Sequence, residues 1–351
     1  MRKKVLLAMS GGVDSSVSAF LLKNAGYDVV GVTMCFGIET NDNKARCCGA
    51  KAIEDAKNVC FKIDIPHYVL DFSKHLEEKV ISKFILEYLA GRTPNPCIDC
   101  NKFLKFDLLF NQAKVFGCDY LATGHYARIE KNNGNFFLKK AKDKFKDQSY
   151  FLYPIKKERL EFIIFPLEDL TKEETRKIAY DLDLPVKDKP QSQDICFVKD
   201  KNYYNLILEK TKNFIPGNIV DLNGKVLGRH RGIFFYTIGQ REGLGISSSK
   251  PLYVIKIDKK NNQIVVGERE NLYAKGLIAS NLNLFVEDFP KEVFAKIRFR
   301  HQEAKCSVYI KDDKTFVEFF EKQEAITPGQ SVVFYKDDFV LGGGIIEEVI
   351  W

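Results

Sequence analysis

No stretch of this sequence approaches the about 20 consecutive apolar residues that a membrane-spanning helix needs, so no span is expected. It has no internal repeat and no low-complexity tail, which removes solenoids and long disordered arms. The start, Met1-Arg2-Lys3-Lys4, is basic, but the apolar run behind it is short and Gly11-Gly12 interrupts it. A secretory signal is therefore not expected. Paired cysteine motifs of the zinc-ribbon type are also missing. The nine cysteines stand at 35, 47, 48, 60, 97, 100, 118, 196 and 306, an odd count in a chain too long to need staples. A disulfide framework is excluded on those grounds, and a reducing, cytoplasmic location is expected. What remains is an ordinary soluble composition, 45% hydrophobic and 29% charged over 351 residues, enough for two or three domains.

Ser10-Gly11-Gly12-Val13-Asp14-Ser15-Ser16 carries the most information. It follows the apolar run Val5-Leu6-Leu7-Ala8-Met9, and a helical pattern follows it, stopped by Gly26. Glycine lets the backbone approach a ligand, and a helix N-terminus offers free N–H groups and a positive dipole end to an anion. Phosphate is the natural guest. The Gly-Lys-[Ser/Thr] ending is missing, so this is not the loop that grips β- and γ-phosphates with its own lysine. It resembles the pyrophosphatase-type loop of enzymes that split ATP between the α- and β-phosphates and transfer AMP.

Up to about residue 200 strand and helix patterns alternate. Strands are expected at 5–9, 29–36, 67–71 and 120–123, with helices at 15–25, 50–59, from a Ser73 cap to Gly91, at 101–116, and from Thr171 to about Leu182. Residues 39–44 read as a loop. This grammar predicts an α/β doubly wound parallel sheet with ligands at the carboxyl ends of its strands. Beyond it, one helix near 203–210 gives way to short strands and Asn-Gly or Asp-rich turns. The expected division is 1–200, a small mostly-β domain at 201–275, and a β-barrel at 276–351.

Two cysteines stand in chemically suggestive places. Cys100 ends Thr93-Pro94-Asn95-Pro96-Cys97-Ile98-Asp99-Cys100 and is expected at a helix start, where the thiolate is favoured. Cys196 lies in a loop expected to enter a strand. Cys97 and Cys100 are also spaced to supply half a zinc site, with Cys47 and Cys48 as the other half. Basic residues crowd three stretches, 139–146, 229–241 and 296–301, within a net charge of +7. They suit a polyanion larger than a nucleotide.

Several blocks together resemble the bacterial tRNA-specific 2-thiouridylase family. They are the 10–16 loop, Gly91-Arg92-Thr93-Pro94-Asn95-Pro96 with Cys100-Asn101-Lys102, and Ala122-Thr123-Gly124-His125-Tyr126-Ala127-Arg128. Further along come Lys146-Asp147-Gln148-Ser149-Tyr150, Ile195-Cys196-Phe197, Thr237-Ile238-Gly239-Gln240-Arg241, Thr327-Pro328-Gly329-Gln330 and Leu341-Gly342-Gly343-Gly344. The matches run nearly end to end in the expected order. The resemblance implies an ATP-pyrophosphatase domain, a central domain and a C-terminal barrel. It implies ATP-dependent 2-thiolation of the wobble uridine of tRNA, with ATP and Mg²⁺ as cofactors and no resident metal. By the same resemblance, Ala8, Met9, Ser10, Gly11, Gly12, Val13, Asp14, Ser15, Met34 and Gly124 hold the nucleotide. Cys100 is the nucleophile, Cys196 carries the persulfide, Asp14 is catalytic as well by orienting the metal or the ATP, and the two cysteines form a disulfide in turnover. Asn95, Pro96, Cys97, His125, Lys146, Asp147, Gln148, Arg298, Phe299 and Gln330 are the implied tRNA contacts. The implied partners are tRNA and a persulfide donor, either a cysteine desulfurase or a sulfur-relay protein.

Rival readings within the loop superfamily are a 4-thiouridine synthase or a GMP or argininosuccinate synthetase. The small-molecule synthetases have no need of the cysteine pair, and 4-thiouridine enzymes carry an RNA-binding region ahead of the loop. A rival of another class is a zinc-stabilised RNA-binding module without catalysis.

Overall fold

The computed structural model describes residues 2–38, 50–190, 195–198, 202–211, 214–312 and 314–351. The loop expected at 39–44 lies outside them. The chain divides into two compact units, one from Met1–Val80, Cys97–Phe197 and Asp337–Val340, the other from Ile81–Pro96, Val198–Lys336 and Leu341–Trp351.

The first unit is built on β1 (Lys4–Ala8), α1 (Val13–Asn24), β2 (Asp28–Cys35), α2 (Ala50–Ile63), β3 (His67–Asp71) and β4 (Tyr120–Thr123). A hairpin of β5 (Arg128–Asn132) and β6 (Asn135–Lys139) follows, then β7 (Ile163–Ile164) and α3 (Lys172–Asp181). The sheet order is β3-β2-β1-β4-β7, and every pairing in it is parallel. Val5, Leu6 and Leu7 are all fully buried, as a central strand covered on both faces requires. Their neighbours in the core include Val17, Val29, Val59, Ala122 and Leu184. Burying each of these valine and leucine side chains contributes about 1.5–3 kcal/mol. β1 has β2 on one side and β4 on the other, so strand order reverses there. Doubly wound sheets open their ligand crevice at that reversal, outside the carboxyl ends of the strands.

α1 starts at Val13 against the expected 15, α2 runs on to Ile63 against the expected 59, and two later helices depart further from the sequence reading. Ser73 does not cap its helix: Phe72 holds the cap position, and the Ser73 N–H donates to Asp71 Oδ1 at 2.8 Å. That helical run continues through a π-helical Glu77–Ile81 and Ser82–Leu89. The helix expected at 101–116 begins earlier, with Pro96–Asp99, then a π-helical Cys100–Leu109 and Phe110–Val115. Proline suits a first helical position because its missing N–H has no partner to lose there.

The second unit opens with α4 (Tyr203–Lys210) and a sheet of β8 (Gly217–Val220), β9 (Val226–His230), β10 (Tyr253–Asp258) and β11 (Gln263–Gly267). A closed barrel follows, made of β12 (Tyr273–Leu284), β13 (Glu292–Lys296), β14 (Ala304–Lys311), β15 (Lys314–Glu324), β16 (Ser331–Lys336) and β17 (Phe339–Ile350). Pairing of β12 with β17 closes it, which removes exposed sheet edges. Leu277, Val293, Val317, Phe334 and Ile346 fill its interior. A parallel α/β sheet, a small β region and a barrel are thus the architecture expected from the sequence. Among the described residues, no helix is long and apolar enough to cross a membrane.

Candidate active site

The loop after β1 sits at the sheet's reversal point. Ala8 ends β1, and Met9 is buried, its carbonyl accepting the Thr33 hydroxyl at 2.9 Å. Gly11 turns at φ 67°, and a Cβ there would lie 2.2 Å from the Ala52 carbonyl oxygen. Gly12 is the N-cap of α1 and gives it no side-chain cap. The first N–H groups of α1 are thus left uncapped by any side chain, the condition an anion needs. Around them the hydroxyls are fixed. Ser15 Oγ stands 3.2 Å from both Ser10 Oγ and the Gly12 carbonyl, and Ser16 Oγ donates to that carbonyl at 2.8 Å. Val13 and Ser15 are buried, and Met34 lies half-buried in β2.

The end of β4 leans on the same helix start. A Cβ on Gly124 would come within 2.9 Å of Ser15 N and 3.0 Å of the Asp14 carbonyl carbon, so only glycine fits. His125 follows, with Nδ1 2.7 Å from Thr123 Oγ1 and Nε2 3.4 Å from Lys105 Nζ. Burial, then Lys105, holds its pKa well below the usual histidine range, so the ring is neutral near pH 7. Phe106 and Phe165 flank it, at centroid distances of 5.9 and 6.2 Å. Tyr126 exchanges backbone contacts with Gln148. Its N–H donates to Gln148 Oε1 at 2.9 Å, and its carbonyl accepts the Gln148 N–H at 2.9 Å.

The structure corrects the expected environment of Cys100. It lies beyond the first turn, at the head of the π-helical stretch, and is half-buried. Burial pushes its thiol up rather than down, with Lys105 pulling against that shift. Whatever thiolate this residue supplies therefore owes more to Lys105 than to a helix end. Cys97 is exposed. Cys196 is exposed within the short turn at 195–198, and its neighbour Phe197 is buried, while the segments on either side, 191–194 and 199–201, lie outside the described residues. Among the described residues every cysteine is in the thiol form, so no disulfide joins Cys100 to Cys196. Cys47 and Cys48, the other half of the alternative zinc site, lie outside the described residues.

Of the implied tRNA contacts only Cys97 is exposed, and the others are half-buried or buried. Asp147 is buried and spends its carboxylate on its own loop, accepting from Ala141 N at 2.9 Å and Ser149 Oγ at 2.8 Å. Lys146 and Gln148 are half-buried. In the second unit, Asn95 is half-buried and Pro96 buried. Gln330 donates to the Thr93 carbonyl at 2.8 Å, and Thr93 N–H donates to the Pro328 carbonyl at 2.9 Å. The Thr327-Pro328-Gly329-Gln330 turn therefore fixes the segment leading to Asn95. Arg298 and Phe299 are half-buried. A cleft of roughly 600 Å³ beside Arg298 is also lined by Arg300, His301, Lys305 and Phe320.

Three charged residues at these sites were missed from sequence. Lys172 Nζ stands 2.5 Å from Asp14 Oδ1, to which the Tyr126 hydroxyl also donates at 2.9 Å. Lys189 Nζ donates to the Gly11 carbonyl at 2.8 Å and to Asp55 at 2.7 Å, pinning the loop to α2. Arg92 bridges Glu87 and Glu347, each at 2.6 Å. The Thr171 capping box that places Lys172 was readable, but nothing in one sequence says that this lysine meets Asp14 158 residues away.

Comparison with known proteins covers nearly the whole chain. Residues 3–200 match the tRNA methyl transferase HUP domain, 205–268 the tRNA methyl transferase PRC-barrel domain, and 274–346 the aminomethyltransferase beta-barrel domain. The tRNA-specific 2-thiouridylase MnmA 1 of Syntrophus aciditrophicus is 54% identical over 350 residues, covering 100% of this chain and 94% of that one. The tRNA-specific 2-thiouridylases MnmA of Clostridium perfringens and Clostridioides difficile are 48% and 49% identical, each covering 99% of both chains.

Proposed function

The chain belongs to the tRNA-specific 2-thiouridylase family, and we propose that it replaces the C2 oxygen of the wobble uridine (position 34) of tRNA with sulfur, at the expense of ATP. One observation carries this reading: a single unit holds both an uncapped phosphate loop at the sheet reversal and the two cysteines Cys100 and Cys196. The family models speak of methyl transfer, but that reaction needs neither a pyrophosphate-type loop nor a thiol pair.

A pyrimidine C2 carbonyl is a weak electrophile with a poor leaving group. Adenylation of its oxygen, with loss of pyrophosphate, turns that oxygen into part of AMP. In our reading the backbone and hydroxyls of residues 10–16 hold the triphosphate, while Met34 and Gly124 contact the adenosine. Asp14 is the carboxylate that would hold Mg²⁺, which would neutralise phosphate charge. Residues 1–200 carry this chemistry, and 201–275 and 276–351 dock the tRNA. The neutral ring of His125 offers a hydrogen bond, not a charge, to a base drawn out of its stack.

Cys196 is exposed, as receipt of sulfur from a separate persulfide donor demands. Its terminal persulfide sulfur attacks C2 and AMP leaves. The Cys100 thiolate then attacks the Cys196 sulfur, which releases 2-thiouridine and leaves a Cys100–Cys196 disulfide. In the other order, Cys100 first releases hydrosulfide, which attacks C2, and the same disulfide remains. Either way a reductant restores both thiols. The test is mass spectrometry of nucleosides from tRNA incubated with the protein, ATP, Mg²⁺ and a persulfide donor. 2-Thiouridine that depends on both ATP and donor is expected. Its absence in the complete mixture would refute the proposal.

A further inference from the structure

The phosphate loop has no lysine of its own, yet one reaches it from α3. Lys172 is 9% exposed, and its ammonium lies 2.5 Å from Asp14 Oδ1. Asp14 is in the first turn of α1 and keeps 29% of its side chain exposed. The same carboxylate oxygen receives the Tyr126 hydroxyl at 2.9 Å. On the backbone side, Lys172 N–H donates to Asp143 Oδ2 at 2.9 Å, which together with the Thr171 capping box fixes where the side chain starts.

This is an expensive place for a cation. The positive end of the α1 dipole repels it. Burial removes its water, and one carboxylate with the face of the Tyr126 ring 5.8 Å away is a poor return for that loss. Asp14, by contrast, needs no lysine there, since an acid in the first turn is already favoured by the dipole. A polyphosphate would repay the cost, because it brings more negative charge than one carboxylate and satisfies the helix N–H groups at the same time.

We propose that Lys172 is a phosphate-binding residue of the nucleotide site, supplying from α3 the cation that the 10–16 loop lacks, in competition with Asp14. The proposal rests on the reading of that loop as a triphosphate site.

The experiment measures binding of ATP, inorganic pyrophosphate and adenosine to the full chain by calorimetry, with thermal melts in parallel. Lys172→Gln is expected to weaken ATP and pyrophosphate at least tenfold and to leave adenosine within about twofold. Asp14→Asn, measured with pyrophosphate and a chelator, removes the competing carboxylate. It is expected to bind pyrophosphate more tightly than wild type and to gain more melting temperature from it. Wild-type affinity of Lys172→Gln for ATP and pyrophosphate would overturn the proposal. So would an equal loss of adenosine, which would make Lys172 a purely structural residue. If Lys172→Gln does not fold, the Asp14→Asn arm decides: pyrophosphate binding no tighter than wild type rejects the role. Failure of the loop reading looks different, because the wild-type protein would then bind neither ATP nor pyrophosphate.

Discussion

Lys105 faces two side chains with opposite demands. Its charge pulls the Cys100 thiol down against the upward push of burial, and it helps keep His125 neutral. Because the net shift of Cys100 is upward, its thiolate is scarce at neutral pH and grows as pH climbs above the ordinary thiol range. The Cys100-dependent step should therefore accelerate with pH through that range. Lys105→Gln removes the downward pull, so the alkylation rate of the Cys100 peptide should fall several-fold near pH 8 and its profile should move to higher pH. A profile that stays put would mean Lys105 does not set the thiol. The neighbouring cysteine gives a second test. Cys97→Ser is expected to retain substantial thiolation, whereas Cys100→Ser should still accept sulfur on Cys196 and stall before a completed cycle. Full turnover by Cys100→Ser, or a Cys97–Cys100 disulfide after turnover without reductant, would reverse the assignment.

At the scale of elements, the site depends on how closely two strand ends approach one helix start. Gly124→Ala would place a Cβ 2.9 Å from Ser15 N, against backbone that has no rotamer to yield. Overpacking of this kind costs about 1–3 kcal/mol, and it displaces the uncapped N–H groups of α1 that we propose bind phosphate. The expected result is a lower melting temperature together with loss of nucleotide binding. Gly26→Ala is the control. Gly26 has φ 86° with nothing within 4 Å of a would-be Cβ, so it should cost about 1 kcal/mol of strain and leave nucleotide binding intact. Equal nucleotide affinity in both variants would remove the close approach from the site. The strands, the 10–16 loop and the Gly124 position were legible because each carries a local signature: an apolar run, paired glycines, a strand end. The β5–β6 hairpin was legible too and was passed over. Asn133-Gly134, at φ 49° and 80°, is the ordinary two-residue hairpin turn. The environment of Cys100 was not legible. Proline at 96 starts the helix one turn early, and burial of the thiol comes from residues remote in sequence. The Lys172–Asp14, Lys189–Gly11 and Gln330–Thr93 contacts were hidden for the same reason, since each joins elements more than 150 residues apart.

For the molecule as a whole, the net charge of +7 sets the sign of a nucleic-acid interaction but not its location. The three basic stretches found in the sequence are not equally available. In the first, Lys139 pairs with Glu130 at 2.6 Å and lies 4.5 Å from the Phe339 ring centroid, while Lys140 donates to the Asp337 carbonyl at 2.7 Å. Lys142 donates to the Asp169 carbonyl at 2.9 Å, and Lys144 is exposed. In the second stretch, His230 is buried with its pKa pushed down by that burial, so it stays uncharged near pH 7, whereas Arg229 and Arg241 are exposed. In the third, Lys296 is 18% exposed and paired with Glu303 at 3.6 Å, while Arg300 is exposed. Counterion release ties each phosphate contact to about 0.7–0.9 in the slope of log K against log salt. Removing Lys144, Arg229, Arg241 or Arg300 singly should therefore flatten the slope by about that amount for each one that meets the tRNA. Lys139→Ala and Lys296→Ala should leave the slope unchanged, although each loses an internal pair and should lower the melting temperature. Fluorescence anisotropy of labelled tRNA between about 50 and 200 mM salt reads the slope directly. If the internally paired lysines flatten it and the four exposed residues do not, tRNA opens those pairs on binding, and the available surface must be redrawn around Lys139 and Lys296.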